Sequence, residues 1–211
     1  MNTLGPCSLP YRLILGSSSP RREFLLRQLE LPFEKRVVPI EEIPNPDIKP
    51  EDIALHLAVA KSMAIPVHEG ELLLTADTTV WCEGKVLGKP GDREEALLML
   101  HWLAGRWHRV DTGVCLRTPT QEVTLQATTL LHWYPLTTEE IEWYVDRFEP
   151  YDKAGAYGIQ EWMGMRAIKT MEGCPLNVMG LPVSRLYESL VSEFGLQTGN
   201  AHSKVLPSTE D

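Results

Sequence analysis

Apolar and polar positions along this chain alternate with two different periods, and each change of period marks an element. Leu13-Ile14-Leu15-Gly16 is a short apolar run that predicts a strand over 12–16. The small residues Ser17-Ser18-Ser19 follow, then Pro20 and a helix through about residue 30, with Phe24, Leu25 and Leu29 as its apolar face. Ser19 suits the N-cap and Pro20 the first helical position, where no backbone donor is needed and the preceding residue is extended. Leu31-Pro32 ends that helix, and Phe33 to Val38 reads as a second strand.

Pro39 to Asp47 is an acidic, proline-rich loop. Pro50 opens a helix whose predicted buried stripe is Ile53, Leu57 and Ala64, with Lys61 emerging beside it. Leu72 to Ala76 is almost wholly apolar, as in a strand buried on both faces, and it delivers Asp77-Thr78-Thr79. Val80 to Leu87 reads as a hairpin turning at Glu83-Gly84 and leading into the constrained turn Gly88-Lys89-Pro90-Gly91-Asp92. Asp92 and Glu95 form a capping box for a helix using Ala96, Leu97, Leu100 and Leu103, closed by Gly105. From Trp107 to about Trp133 the period becomes two, which predicts an antiparallel pair and so a mixed sheet. Thr137 and Glu140 cap a helix that buries Ile141, Tyr144, Val145 and Phe148. After the loop 149–160, a strand near 165–171 is predicted, and Pro182 begins a last helix (Val183, Leu186, Tyr187, Leu190, Phe194) stopped by Gly195. Residues 1–10 read as a flexible arm, 11–196 as one domain, and 197–211 as a disordered tail.

Composition narrows the function classes. The chain has 211 residues, and its net charge of −9 disfavours a nucleic-acid partner while leaving room for a small anionic ligand in a local positive pocket. No apolar run approaches the roughly 20 residues of a membrane span. Cys7, Cys82, Cys115 and Cys174 lie far apart, as expected of reduced thiols in a cytoplasmic protein. The histidines are scattered without metal-ligand spacing, and neither a Gly-x-Ser-x-Gly elbow nor a long P-loop motif is present.

Candidate chemistry sits in the turns. Ser17, Ser19, Arg21 and Arg22 place hydroxyls, backbone N–H groups and guanidinium groups at one helix start, an arrangement that holds phosphate. A plain capped helix with two solvated arginines is the alternative. Lys61 reads either as a cleft cation or as a lysine snorkelling beside an apolar face. Asp77, emerging from an apolar strand, is a site candidate, with a turn-capping carboxylate as its alternative. Asp152-Lys153-Ala154-Gly155-Ala156-Tyr157-Gly158-Ile159-Gln160 combines glycines that permit close approach with charge and an amide. Cations for phosphate oxygens, acids for a divalent ion or a water, and no covalent nucleophile with its own base together suit direct attack of water on a polyphosphate.

Seven motifs, in order, carry a resemblance: Ser17-x-Ser19-Pro20-Arg21-Arg22, Leu57-Ala58-x-x-Lys61, Ala76-Asp77-Thr78-x-Val80, Gly88-Lys89-Pro90, Gly105-Arg106-x-His108-x-Val110-x-Thr112-Gly113-Val114, Asp152 to Gln160, and Asn177-Val178-x-Gly180-Leu181-Pro182. Over about 12–192 the chain resembles the Maf family of septum-formation-inhibitor-like nucleoside triphosphate pyrophosphatases. The resemblance implies an α/β fold with an elongated mixed sheet, flanking helices and a cleft between two lobes, like that of inosine triphosphate pyrophosphatases. It implies hydrolysis of a nucleoside triphosphate to monophosphate and pyrophosphate with Mg²⁺ or Mn²⁺. Asp77 falls at the family's proton acceptor, which could also be a metal ligand, with Glu42 (or Glu41) as the other. Arg21, Thr78 and Gln160 fall at the base-selecting positions and look like the dTTP/UTP branch, against a 7-methyl-GTP branch. Ser17, Ser19, Arg22, Lys61, Lys89 and Lys153 are then the phosphate-binding set. A nucleotide-binding regulator of cell division is the non-enzymatic alternative, and a homodimer is left open. The chain departs from the family pattern at His56-Leu57-Ala58, usually Arg-Leu-Ala, and at Arg147-Phe148-Glu149, usually Ser-Gly-Glu.

Overall fold

The long strand delivering Asp77 is the axis of the structure. A computed structural model describes residues 7–39 and 48–198 of the chain. In chain order its strands and α-helices are β1 (Cys7–Ser8), β2 (Arg12–Leu15), α1 (Pro20–Gln28), β3 (Phe33–Lys35), α2 (Ile53–Ala64), β4 (Glu71–Cys82), β5 (Lys85–Leu87), α3 (Arg93–Leu103), β6 (Trp107–Arg117), β7 (Glu122–Trp133), α4 (Thr138–Phe148), α5 (Trp162–Ala167), β8 (Ile168–Glu172), α6 (Pro175–Met179), α7 (Val183–Phe194) and β9 (Gln197–Thr198). The main sheet has seven strands in the order β3-β2-β4-β6-β7-β8, with β5 also on β4. β3, β2 and β4 are parallel and the other pairs antiparallel, so the expected mixed sheet is present.

Two apolar clusters make the lobes. One joins α1 and α7 to the first half of β4 through Leu25, Leu26, Leu72, Leu74, Leu186 and Leu190. The other joins α3, α4 and α5 to its second half through Val80, Cys82, Leu100, Tyr144 and Met163. Side chains alternate faces along a strand, so Leu72, Leu74, Ala76, Val80 and Cys82 share one face. Thr78 is the polar break between the two clusters on that face, opposite Thr112 of β6. The odd-numbered face looks toward α2, whose backbone carbonyl at Ala58 accepts from Thr75 Oγ1 at 2.7 Å.

Several expectations are revised. α1 buries Leu25 and Leu26 while Phe24 is exposed, because the helix packs on one lobe only. α2 buries Ala54, Ala58 and Ser62 rather than Ile53, Leu57 and Ala64. Only small side chains fit beneath a helix lying directly on the sheet: a Cβ on Gly113 of β6 would stand 2.3 Å from Leu55 Cα. Residues 162–167 form α5, and β8 starts only at Ile168. The second strand is the three residues of β3. Cys7–Ser8 and Gln197–Thr198, from the stretches expected to be an arm and a tail, pair antiparallel. The departure at Arg147-Phe148-Glu149 is met by Glu149, which adopts a left-handed conformation (φ 44°) and donates its N–H to Val145 O at 3.0 Å.

The start of β4 is pinned by a buried carboxylate. Glu71 accepts from Arg36 at 2.7 and 2.8 Å, from Arg12 at 2.6 Å and from the His68 N–H at 3.0 Å. The Arg36 bonds hold its carboxyl well below the usual carboxylate range against burial, which acts upward, with the His68 and Arg12 bonds adding to the lowering. Because the folded value is depressed, this stabilisation is full above the ordinary glutamate range and is lost as pH falls through the folded value. Glu71→Gln breaks a buried ionic cluster and is expected to cost about 3–5 kcal/mol, read as a fall in urea midpoint at neutral pH. Gly113→Ala is expected to cost about 1–3 kcal/mol or more by lifting α2 from the sheet, checked by thermal unfolding. An unchanged midpoint in either variant would contradict the packing described.

Candidate active site

The cleft exists because one edge of β4 changes partners. Along its other edge β4 pairs continuously with β6 from Leu73 to Trp81. On the open edge it pairs with β2 over 71–74 and with β5 over 80–82, and neither strand pairs with 75–79. The ends of β2 and β5 thus bound a window at Asp77 and Thr78. A cleft of about 360 Å³ passes through it, so residues from both faces of the sheet reach one space. Asp77 lies mid-strand rather than at the end of β4; the strand that ends beside it is β2.

Gly16 carries the chain out of the sheet. A Cβ there would meet Thr75 Cγ2 at 2.7 Å and Ile65 Cδ1 at 2.8 Å, so only glycine lets Ser17-Ser18-Ser19 turn tightly over β4. Ser19 is the α1 N-cap residue, but its hydroxyl makes no cap bond. Its N–H instead donates to Ser17 Oγ at 3.2 Å, which organises the turn from within.

On the α2 face, Lys61 Nζ donates to Asp77 Oδ1. Both side chains are largely buried, at 15% and 10% exposure, so the pair is only weakly screened by water. On the opposite face Arg22, at 8% exposure, spreads its donors: Nε to Gly180 O at 2.8 Å, Nη1 to Ser17 Oγ and Nη2 to Thr78 Oγ1, both at 3.1 Å. Gly180 can stand there because it caps α6 at φ 114°, which a side chain would resist.

Across the cleft mouth, Arg21 Nη1 meets Asp152 Oδ2 at 2.5 Å, and Lys153 Nζ meets Asp152 Oδ1 at 2.7 Å. Burial pushes the Asp152 carboxyl up, but the hydrogen bonds from Lys153 and Arg21 outweigh it and leave it below its ordinary value. Lys153 is also 3.1 Å from Glu161 Oε1, and Glu161 Oε2 accepts from Tyr144 OH at 2.5 Å. Gly155, at φ 68°, donates its N–H to Gly88 O at 2.9 Å and so ties this loop to the Lys89 turn. The floor is apolar, formed by Val80, Val110, Val178 and Tyr157, whose hydroxyl lies 2.9 Å from His108 Nε2.

Ser17, Ser19, Arg21, Arg22, Lys61, Asp77, Thr78, Lys89, Lys153 and Gln160 all line this one cleft. Glu41 and Glu42 lie outside the described residues. Sequence reading quoted Tyr157, Thr112 and Asn177 within motifs but gave them no site role; Thr112 joins the site as the cross-strand partner of Thr78 and Asn177 through its carbonyl. A threonine interrupting the apolar side of each of two long alternating strands was the available signal. His108 is buried within the second lobe against Trp133 and Tyr157.

The chain matches the family model described as Maf-like protein over residues 12–193. It belongs to the Maf family. Among relatives, the dTTP/UTP pyrophosphatase of Porphyromonas gingivalis is 46% identical over 190 residues, covering 88% of this chain and 95% of that one. The dTTP/UTP pyrophosphatase of Phocaeicola vulgatus is 44% identical, covering 85% and 95%. A crystal structure titled nucleoside-triphosphatase / dITP/XTP pyrophosphatase, from Mycobacterium abscessus, aligns at a TM-score of 0.37 with 19% identity, covering 59% of this chain and 75% of that one. In this Maf chain, no helix among the described residues is long and apolar enough to cross a membrane. The same residues contain no cluster of three or more metal-ligating side chains. A magnesium-type ion needs none, since one or two carboxylates together with substrate phosphates hold it, and Asp77 beside the Ser17–Ser19 turn fits that mode.

Burial lowers the His108 pKa to about 3. The unfolded chain then binds a proton that the folded chain excludes between about pH 6.5 and 3, so stability falls on acidification at up to about 1.4 kcal/mol per pH unit. Urea midpoints at pH 7 and pH 5 should differ less in His108→Gln than in the parent; an equal difference would show that the ring is not held neutral.

Proposed function

We propose that this chain hydrolyses dTTP and UTP to the monophosphate and pyrophosphate. The observation that carries the reading is the Lys61–Asp77 pair, set in the window of β4 with the Ser17–Ser19 turn on one side and Lys89 and Lys153 on the other. A triphosphate needs that much positive charge around its oxygens, and a hydrolase also needs an acid beside them. The relatives, which are dTTP/UTP pyrophosphatases, supply the bases.

Water attacks the α-phosphorus: the new bond joins water oxygen to that phosphorus, and the bond from phosphorus to the bridging oxygen of the β-phosphate breaks. Asp77 accepts the water proton. Lys61 occupies Oδ1, which leaves Oδ2 for the proton and fixes the plane of the carboxylate. The Ser17–Ser19 turn, with the guanidinium of Arg22 beneath it, meets the phosphates from one lobe, and Lys89 and Lys153 meet them from the other. The departing pyrophosphate takes the electron pair of the broken bond, and the lysines stabilise its charge. Arg21, Thr78 and Gln160 face the base. Asp77 and Glu42 (or Glu41), together with phosphate oxygens, would hold a Mg²⁺ or Mn²⁺, which would supply charge neutralisation at the phosphates. Cys82, Cys115 and Cys174 are free thiols, which supports a cytoplasmic setting.

A panel of nucleoside triphosphates with Mg²⁺, followed by product analysis, tests the reading. The expected result is pyrophosphate release with the highest kcat/KM for dTTP and UTP. Orthophosphate as the product, or preference for a purine such as 7-methyl-GTP, would sink it, as would saturable binding without turnover. Asp77→Asn is expected to lower kcat by about 10²–10⁴, the range for losing a general base.

A further inference from the structure

The partners of each hydroxyl in the cleft wall fix where its proton goes. Thr112 Oγ1 donates to the carbonyl of Asn177 at 3.0 Å, and a carbonyl can only accept. Thr112 has one hydroxyl proton, and this bond uses it. In the 2.9 Å contact between Thr78 Oγ1 and Thr112 Oγ1, Thr112 must therefore accept and Thr78 donate. At its other side Thr78 Oγ1 lies 3.1 Å from Arg22 Nη2, and a guanidinium can only donate. The polarity runs one way, from Arg22 to Thr78 to Thr112 to Asn177 O. Thr78 has then spent its proton and one of its two lone pairs. What remains for a ligand in the cleft is one acceptor site.

The relay is firmly held at both ends. Thr112 is fully buried and sits in register with Thr78 across β4 and β6. Asn177, also fully buried, anchors α6 by donating from Nδ2 to Val110 O at 3.1 Å and to Thr129 Oγ1 at 3.0 Å. Arg22 is held by Gly180 O just beyond α6. Reversing the polarity would oppose two donors between Arg22 and Thr78, or two acceptors between Thr112 and Asn177, among groups that are buried or half-buried.

We propose that Thr112 is a positioning residue that fixes the Thr78 hydroxyl as an obligate acceptor, so that Thr78 reads a base by an N–H donor. Resting on the dTTP/UTP reading, this assigns the group read: uracil and thymine carry one N–H on the base once N1 is bonded to the sugar, at N3, between two carbonyls. Cytosine presents a lone pair at N3, which would face the lone pair of Thr78. A site built around one hydrogen-bond polarity strongly rejects an analogue of similar shape and opposite polarity.

The experiment compares UTP, 4-thio-UTP and CTP on the full chain and on Thr112→Val and Thr112→Ser. 4-Thio-UTP keeps the N3–H and changes only the exocyclic atom that also distinguishes cytosine. For the parent, kcat/KM for 4-thio-UTP is expected within about threefold of UTP, with CTP lower by about tenfold or more. Thr112→Val releases the Thr78 proton to the cleft and is expected to shrink the UTP-to-CTP ratio by about tenfold or more; Thr112→Ser, which keeps the relay, retains it. A parent that turns over UTP but loses 4-thio-UTP as it loses CTP overturns the assignment and leaves the pyrophosphatase reading intact. An unchanged ratio in Thr112→Val, or equal loss in Thr112→Ser, also overturns it. A parent inactive on UTP and dTTP overturns both. If Thr112→Val does not fold, the parent's three-nucleotide comparison decides.

Discussion

The structure depends on an interrupted hydrogen-bonding edge. A twelve-residue strand runs through both lobes, and its unbroken pairing with β6 from Leu73 to Trp81 on one side makes it rigid enough to tolerate a gap on the other. The gap between β2 and β5 is why a single cleft can draw on both faces of a sheet. Consecutive residues on a strand point oppositely, so Asp77 and Thr78 would ordinarily serve different compartments. Here the first meets Lys61 beneath α2, the second meets Arg22 beneath α6, and both open to the same space.

The two faces are built by opposite means. On the α2 side the sheet accepts a helix backbone almost in contact, through Gly113 and the small side chains Ala54, Ala58 and Ser62, which brings Lys61 within reach of Asp77. On the other side a polar seam replaces close packing: Arg22, Thr78, Thr112 and the carbonyls of Asn177 and Gly180 satisfy one another between two apolar clusters. The guanidinium, the two hydroxyls and the two backbone carbonyls of the seam each have a partner of the right polarity, and that requirement turns an ordinary threonine into a directional one. The mouth is closed differently again, by Arg21, Asp152 and Lys153, where the carboxylate is half exposed and its ion pairs compete with water.

Much of this was legible in order along the chain. The capping pair Thr137 and Glu140, the turn at Glu83-Gly84 and the αL glycine at 195 announce themselves by local chemistry, and all three take the expected form. The stripe of α2 did not, because periodicity reports hydrophobicity whereas the limit under α2 is volume. The segment 162–167 also misled: a short helix precedes β8 where a Cβ on Gly164 would collide with Ile159 O, a close approach visible only in three dimensions.

The serine-proline turn shows where the division falls. By itself the chain determined that an extended run would break at Gly16, turn through three serines and enter a helix at Pro20, because glycine tolerates a turn, serine suits a helix start and proline's fixed φ fits the first helical position. It also determined the residue types that now line the cleft. Only the tertiary structure decided that Arg22 faces Ser17, Thr78 and Gly180 from beneath while Arg21 reaches 131 residues ahead to Asp152. Adjacent positions on a helix differ by about 100°, so which arginine points inward depends on what packs against α1, and those partners come from β4 and the end of α6.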